Sequence, residues 1–437
     1  MVSNSQKLNT ANFSSDLVSR LLFVLAALFV YRLGAHIPVP GVDPIAMSNL
    51  IQQAGGGLLG MLNLFSGGAL RRFSLFAIGI MPYISSSIVM QLAGEIVPSL
   101  QALKKEGEAG KRKITQYTRV GTIVLASFQS LGMARLLLAQ PGVVLISPHE
   151  FYLTTMVCLV TGTMFLMWLG EQITERGVGN GISIIICAGI AASIPAGIYR
   201  VLEMVSSGSL NLFIGVMLFA GAIGLVYFVV FVESGQRKIP IHYAKRQLTA
   251  KSMSGGQTSH VPFKLNMSGV IPPIFASSIL AFLSVGLTWA GSFGFLAFLH
   301  SFSVMISRGQ PVYLIIFAIS VIFFSYFYTS VMYSPRDIAE NLKKGGAFIP
   351  GIRPGELTSR YLERVILRLT FYGALYITVV CIIPELLIQF FNIPVYLGGT
   401  SLLILVVVTM DFSSQLASFQ VSQQYQSLMN RSAVRRK

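Results

Sequence analysis

Residues 61–84 read MLNLFSGGALRRFSLFAIGIMPYI. A short, mostly apolar segment ends at the SGG of residues 66–68, two arginines follow, and a second apolar run has Pro82 in its middle. The first part is too short to cross a bilayer, which takes about 20 residues, and arginines resist entering hydrocarbon. We therefore predict that residues 61–72 fold back into a cavity lined by protein, where the backbone and the charges find partners. A movable stopper and a static re-entrant loop both fit this prediction.

The composition is that of a membrane protein. Hydrophobic residues make up 53% of the 437 residues and charged residues 11%, with a mean hydropathy of +0.69. Soluble domains carry about 25% charged residues, so this chain has too few charges to cover a water-exposed surface. Apolar runs of about 18 or more residues predict membrane-spanning helices. We predict an all-α polytopic membrane protein with ten transmembrane helices, near residues 21–39, 73–94, 117–138, 151–170, 182–199, 210–232, 267–290, 312–333, 365–388 and 397–421.

The positive charges are distributed unevenly between the two sides that ten spans define. If the N-terminus and every second loop lie on one side, that side holds all but six of the 32 Lys and Arg. Loops rich in Lys and Arg stay in the cytoplasm. We therefore predict that both termini are cytoplasmic. The remaining cations, on the opposite side, are Arg32, Arg71, Arg72, Arg135, Arg200 and Arg308.

Three of the predicted cytoplasmic loops are long and basic. They contain KKEGEAGKRK at 104–113, GQRKIPIHYAKRQ at 235–247 and NLKKGGAFIPGIRPGE at 341–356. Contact with anionic lipid explains the basic residues of any one loop. Loops of about thirty residues, however, are longer than topology requires. Two such loops favour a docking platform for a cytoplasmic partner with an acidic or nucleic-acid surface.

A faint internal repeat relates the second and seventh predicted spans. GIMPYISSS from Gly79 and GVIPPIFASS from Gly269 share Pro at the fourth position, Ile at the sixth and Ser at the ninth. Matches of this number also arise by chance in helices rich in these residues. If the repeat is real, the chain has two halves of five spans, which must be inverted, and the functional path lies at their interface. Ile84 and Ile274 are then predicted to face each other near the middle of the bilayer.

Motifs for catalysis or cofactor binding are not recognised. The five histidines lack the spacing of a metal site, and GVGNG at 177–181 lacks the lysine and hydroxyl of a phosphate-binding loop. Cys158, Cys187 and Cys381 are scattered in apolar runs, which indicates helix packing. We predict no enzyme activity, no cofactor and no metal, so any ATP-driven step belongs to a partner.

An ion-coupled transporter is the main alternative. Transporters keep Asp, Glu, Arg or His within their spans, and the predicted spans hold few of these, among them Arg32 and Asp411. A ring of branched aliphatic side chains blocks ions without using charge. The pairs Ile80 with Ile84 and Ile182 with Ile186 each lie on one helix face, although most isoleucines in spans serve only packing.

Seven segments carry a resemblance to one family, and together they cover nearly the whole chain in order. They resemble the SecY family, the channel subunit of the bacterial protein-secretion translocon, in its proteobacterial form. The segments are FSGGAL (65–70), GIMPYI (79–84), KKEGEAGKRKITQYTR (104–119), TGTMFLMWLGEQITERGVGNGISI (161–184), NMSGVIPPIFASS (266–278), NLKKGGAFIPGIRPGE (341–356) and GGTSLLILVVV (398–408).

The resemblance implies two inverted, pseudo-symmetric five-helix halves around a central pore. Secretory polypeptides would cross the bacterial inner membrane through the pore. Membrane-protein helices would leave through a lateral gate, which has spans two and three on one side and spans seven and eight on the other. The implied pore ring is Ile80, Ile84, Ile182, Ile186, Ile274 and Ile404. The implied plug, at 61–72, includes Asn63, Phe65, Ser66, Gly67, Gly68, Arg71 and Arg72. The implied gate includes Ser87, Gln91, Phe275 and Ser278.

The resemblance also implies partners: the subunits SecE and SecG, the SecA ATPase, the ribosome, signal sequences with their nascent polypeptides, and membrane lipid. The implied docking residues are Arg237, Lys245, Arg246, Lys343, Lys344 and Arg353, with Arg353 matching an arginine needed to engage SecA. The chain is then expected to divide into an N-terminus (1–20), a first half (21–200), the start of the second half (201–233), a docking loop (234–266), the remaining helices (267–421) with a second docking loop (334–368), and a tail (422–437).

Overall fold

The computed structural model describes residues 2–53, 63, 66–243, 259–291, 310–391 and 398–434. Helices dominate the described part. In the N-terminal half they are α1 (Val2–Gly34), α2 (Pro44–Gln53), α3 (Met81–Ile96), α4 (Pro98–Lys105), α5 (Glu108–Leu138), α6 (Pro148–Arg176) and α7 (Gly181–Ser206), with one 3-10 turn at Leu70–Arg72.

The C-terminal half adds helices and a small sheet. The helices are α8 (Leu212–Ser234), α9 (Ile271–Gly291), α10 (Pro311–Met332), α11 (Pro335–Lys344), α12 (Glu356–Phe391) and α13 (Gly399–Val434). The strands are β1 (Gln236–Tyr243), β2 (Ser259–Lys264) and β3 (Ala347–Phe348).

Prolines and capping side chains set where many of these helices begin. Proline lies in the first turn of α3, α4, α6, α10 and α11, where its missing N–H costs nothing. Asn180 precedes α7, and its side-chain oxygen accepts hydrogen bonds from the backbone N–H groups of Ile182 and Ser183 at 3.1 and 3.4 Å. This cap fixes the start of the helix that carries two of the predicted ring residues.

Eight described helices are long and apolar enough to cross a membrane. The second and seventh positions in the predicted order of ten spans are taken by α3, which has 16 residues, and α9, with a shorter apolar stretch at Ile271–Ala281. The helix α8 has a mean hydropathy of 2.5 over its best window, of which only 6% is buried. An apolar helix with an exposed surface is expected to face lipid.

The spans pack as two groups. In the first, α3 contacts α5, α5 contacts α6, and α6 contacts both α7 and α1. In the second, α9 contacts α10, and α12 contacts both α10 and α13. The groups meet where α9 lies against α3 and α5, and where α13 lies against α7 and α1. These two contact regions enclose the centre of the molecule.

The repeat predicted from Gly79 and Gly269 is present in the backbone. Both glycines have left-handed φ values, +67° and +62°, and each lies two residues before a helix, α3 or α9. A proline, Pro82 or Pro272, is the second residue of each helix. Glycine is the residue that adopts this φ without strain, so the shared sequence encodes a shared helix start.

This start corrects the predicted second span. The apolar run at 73–94 is not one helix, because residues 73–80 form turns and the helix begins only at Met81. Pro82 has no backbone N–H and fits the first turn of a helix, not its middle. The turn residues remain apolar because they are buried, with Phe73 and Ala77 each 0% exposed.

The predicted docking loops form a small antiparallel sheet with strand order β2-β1-β3, which the sequence did not lead us to expect. The strand β1 pairs with β2 from Gln236 opposite Lys264 to Ile241 opposite Ser259, and with β3 at its far end. Ile239 and Ile241 are buried against α11 and α12. The residue that precedes each of them, Lys238 or Pro240, is exposed. The sheet therefore joins the two long loops into one unit.

Candidate functional site

The six predicted ring isoleucines belong to one hydrophobic cluster at the meeting point of the two groups of helices. Three of them are buried within it, and three are half-buried and pack against it. The buried members are Ile80, Ile186 and Ile404, at 5%, 7% and 1% exposure, and the half-buried members are Ile84, Ile182 and Ile274. We call this the ring cluster. It brings together side chains from α3, α7, α9 and α13 that are far apart in the sequence.

Close helix packing positions the two ring residues of α7. A Cβ added to Gly181 would lie 2.0 Å from the carbonyl oxygen of Gly170 in α6, and one added to Gly170 would lie 3.0 Å from Cγ1 of Ile182. Only glycine permits this approach of the two backbones. Gly181, the last residue of the GVGNG sequence, therefore serves packing beside the ring.

The predicted re-entrant segment, residues 61–72, lies directly against the ring cluster through Ala69. Ala69 is part of that cluster, whereas Leu70 and Phe73 belong to a second apolar cluster that also contains Val39, Val42 and Met47. Ala69, Leu70 and Phe73 are each 0% exposed. The segment thus passes from one apolar cluster to the other. Its burial agrees with the expected protein-lined cavity.

The described part of the predicted plug consists of Asn63, which is helical, and residues 66–72. Residues 66–69 form a turn and Leu70–Arg72 a 3-10 turn, while residues 61, 62, 64 and 65, including Phe65, lie outside the described residues. Asn63 organises the turn: its side-chain oxygen accepts from the N–H of Arg71 at 2.9 Å, and its carbonyl accepts from Ser66 Oγ and the N–H of Gly68. Ser66 is buried, and Arg71 and Arg72 are exposed.

The predicted gate residues lie on α3 and α9. Ser278 Oγ on α9 is 3.6 Å from the sulfur of Met81 on α3 and donates a hydrogen bond to the carbonyl of Ile274. Phe275 packs edge-on against Phe324 of α10, with ring centroids 6.1 Å apart. On α3, Gln91 lies one turn from Ser87, and its amide donates to the Ser87 hydroxyl at 3.5 Å.

The predicted docking residues that the structure describes are all exposed. Arg237 lies on β1, Lys343 and Lys344 in the last turn of α11, and Arg353 in the turn before α12. Lys245 and Arg246 lie outside the described residues. A polar crevice of about 590 Å³ opens nearby between the end of α3 and the start of α11.

A polar network that sequence reasoning missed holds the start of α9. Asn266 Nδ2 donates to Glu233 Oε1 at 2.6 Å and to the carbonyl of Gly269 at 3.2 Å. Its Oδ1 accepts from the N–H of Gly269 and from Ser268 Oγ, both at 3.1 Å. Asn266 and Glu233 are 2% and 7% exposed. The signal was the NMSG sequence, since Asn followed by Ser and Gly is typical of a side-chain-capped turn.

Comparison with known proteins agrees with these features. Residues 74–413 match the SecY family. The protein translocase subunit SecY of Pseudomonas aeruginosa is 53% identical over 423 residues, which cover 96% of this chain and 95% of that protein.

Solved structures with the same fold include a protein-conducting channel, with a TM-score of 0.68 at 19% identity over 93% of each chain. Another is a SecY protein whose plug domain stabilises the closed state of the channel, with a TM-score of 0.65 at 19% identity over 93% of each chain. The extent of the family match and the identity to a full-length relative lead to one conclusion: the chain belongs to the SecY family.

Proposed function

We propose that this chain is a protein-conducting channel that moves secretory polypeptides across the bacterial inner membrane and membrane-protein helices laterally into it. The observation that carries the proposal is the ring cluster, in which six isoleucines from both groups of helices meet with Ala69 of the buried turn. Branched aliphatic side chains exclude water and so hinder ions at a constriction. They also impose no hydrogen-bond pattern on whatever passes, which suits a conduit for many sequences.

Residues 61–72 act in this proposal as the plug. Ser66 is buried, and Ala69 is buried within the ring cluster, which supports a segment that closes the pore at this point. The plug domain of a structurally similar SecY protein stabilises the closed state and maintains a membrane seal. By this analogy the turn of residues 66–69 leaves the ring cluster when the channel opens.

The lateral gate is the contact of α3 and α5 with α9. The contact between Ser278 on α9 and Met81 on α3 is a weak one at 3.6 Å. Weak contacts can be separated and reformed without leaving a strongly polar group unpaired. We assign Ser87, Gln91, Phe275 and Ser278 to this gate.

The assembly and orientation follow from the charges. The proposed docking surface for the SecA ATPase and the ribosome is the sheet that joins the two long basic loops, together with the segments next to it. Arg237 is exposed on the sheet, Lys343 and Lys344 on α11, and Arg353 in the turn before α12. Both termini lie on the same, cytoplasmic side. SecE and SecG would cover part of the exposed apolar helices. Within the chain, the first half would end at residue 200 and the second would begin at residue 201.

Photo-crosslinking tests the proposal. A photoreactive amino acid at Ile84 or Ile404 should form an adduct with a secretory polypeptide stalled during export, and deleting the signal sequence should abolish the adduct. The control position is Phe219 on α8, which is 59% exposed and on the proposed lipid face. Absence of the adduct at the ring positions, together with uptake of labelled small solutes into reconstituted vesicles, would favour the transporter instead.

A further inference from the structure

We propose that Tyr31 and Arg32, neighbours near the C-terminal end of α1, are positioning residues that hold the plug turn in its closed place by its backbone carbonyl groups. Tyr31 Oη donates to the carbonyl of Ser66 at 3.2 Å. Arg32 Nη1 donates to the carbonyl of Gly67 at 3.1 Å. The inference rests on the proposed role of residues 66–72 as the plug and assigns the contacts that retain it.

This pair of contacts recognises the backbone of the turn. A carbonyl oxygen is present whichever side chain a residue carries. The two contacts therefore depend on the backbone conformation of the turn and not on its side chains. The bond from Arg32 involves a charged donor, and such bonds are roughly twice as strong as neutral ones. Arg32 is one of the few cations within a predicted span, and this contact pairs its charge with the carbonyl of Gly67.

Neighbouring packing holds the Tyr31 hydroxyl in place. Tyr31 is 2% exposed, and its ring stacks on that of Phe76 with centroids 6.1 Å apart. Phe76 in turn stacks on Phe165 of α6 at 5.9 Å. The hydroxyl is therefore aimed at the turn by a row of three aromatic rings. A donor fixed in this way loses little side-chain entropy when it binds.

The turn approaches its holders so closely that residue 67 must be glycine. A Cβ added to Gly67 would lie 2.7 Å from Tyr31 Oη and 2.8 Å from Cα of Gly189 in α7. At Gly68, by contrast, an added Cβ meets no atom within 4 Å. Both glycines have left-handed φ values, +66° and +83°. The two positions thus share the backbone requirement and differ in the close contacts with Tyr31 and Gly189.

Removal of the two donors tests the inference in the assembled translocon, reconstituted into vesicles that hold a chloride-sensitive dye. Tyr31→Phe keeps the stacked ring and removes only the hydroxyl, and Arg32→Gln removes the guanidinium. Chloride influx without substrate should rise about threefold for Tyr31→Phe and about tenfold for Arg32→Gln, as expected for the loss of a neutral and of a charge-assisted hydrogen bond. Export of a substrate with a defective signal sequence should rise in the same order.

The matched control is Arg20→Gln, the same substitution in the same helix. Arg20 pairs with Asp16 at 3.5 Å and lies over the ring of Phe419, away from the plug. Influx and melting temperature equal to those of the unchanged complex are expected for this control. If the two plug-facing variants leak no more than Arg20→Gln, the inference is wrong.

A glycine pair gives a second, independent measurement. Gly67→Ala should raise chloride influx more than Gly68→Ala, because only the first adds clashes with Tyr31 Oη and with Cα of Gly189 to the backbone strain that both share. Equal influx from the two variants would contradict the close contact of the turn with Tyr31 on which the inference rests. Failure of the unchanged complex to export a substrate with an intact signal sequence would instead contradict the proposed function itself.

Discussion

The helices α3 and α9 begin with the same backbone geometry but are anchored by different chemistry. In both, a left-handed glycine donates its N–H to an acceptor three residues earlier. For Gly79 the acceptor is the backbone carbonyl of Phe76 at 2.9 Å, and for Gly269 it is the side-chain oxygen of Asn266 at 3.1 Å. An asparagine side chain can replace a backbone carbonyl in a turn. The two halves therefore reach one geometry by two routes.

The surroundings explain the choice of route. Phe76 is 2% exposed in the ring cluster, where apolar rings cover it on both faces. Asn266 lies beside Glu233 at the end of α8, next to the sheet that carries the exposed basic residues. An apolar anchor suits the buried turn of the first half, and a polar anchor suits the end of the molecule next to the proposed docking surface. The repeat conserves backbone geometry more strictly than side-chain chemistry.

The largest effect is expected from breaking the apolar anchor. Phe76→Ala should destabilise the complex by about 3–5 kcal/mol, because it removes a buried ring and leaves a cavity between Tyr31 and Phe165. The melting temperature of the purified complex measures this. Phe219→Ala on the exposed face of α8 is the control, and an equal loss for both variants would show that Phe76 is no special anchor.

Replacing the donor amide of Asn266, in the polar anchor, with an acceptor oxygen should have the next largest effect. Asn266→Asp sets an acceptor against Glu233 Oε1 and the Gly269 carbonyl, at a cost of about 2–3 kcal/mol. Glu233→Gln can still pair with Asn266 and should be mild. The double variant should recover part of the loss, because the Gln amide can donate to the new carboxylate.

Oxidation of the pair Met81→Cys and Ser278→Cys then reports whether α9 has moved from α3. In the Asn266→Asp background the disulfide yield should fall, and it should rise again when Glu233→Gln is added. A yield that is unchanged in the single variant would mean that Asn266 does not hold the start of α9.

The smallest effect is expected from Gly269→Ala. An added Cβ meets no atom within 4 Å there, so the cost is only the left-handed strain, about 1–2 kcal/mol. Gly221→Ala in α8 also adds a Cβ to open space, but in a helix, where alanine is favoured. A melting temperature lowered by both variants alike would exclude backbone strain as the cause.

Hydropathy predicted the spans because lipid demands long apolar helices, but it could not separate a helix from a buried turn. Residues 73–80 are as apolar as a span because protein surrounds them, and only the Gly79 and Pro82 signals mark the true helix start. The sheet was missed because charged residues and Pro240 interrupt β1, although Ile239 and Ile241 alternate with exposed neighbours as strand residues do.

For the site, sequence and resemblance together named six isoleucines that the structure places in one cluster. They did not name Tyr31 or Glu233, because each pairs with a group that is distant in the sequence. Tyr31, for example, is 35 residues from its acceptor. A hydrogen bond of this kind leaves no periodic pattern, and only the folded arrangement identifies it.

The ring cluster is also the hydrophobic core that the two groups of helices share. In the proposed function, parting the isoleucines to admit a polypeptide requires the protein to give up part of the same burial that keeps it folded, until the passing chain takes the vacated place. Substitutions that improve packing at the centre should make the protein more durable and slower to open. Thermal resistance and translocation rate would then be opposing properties in this molecule, so that selection for higher thermal resistance would lower the translocation rate, and the reverse.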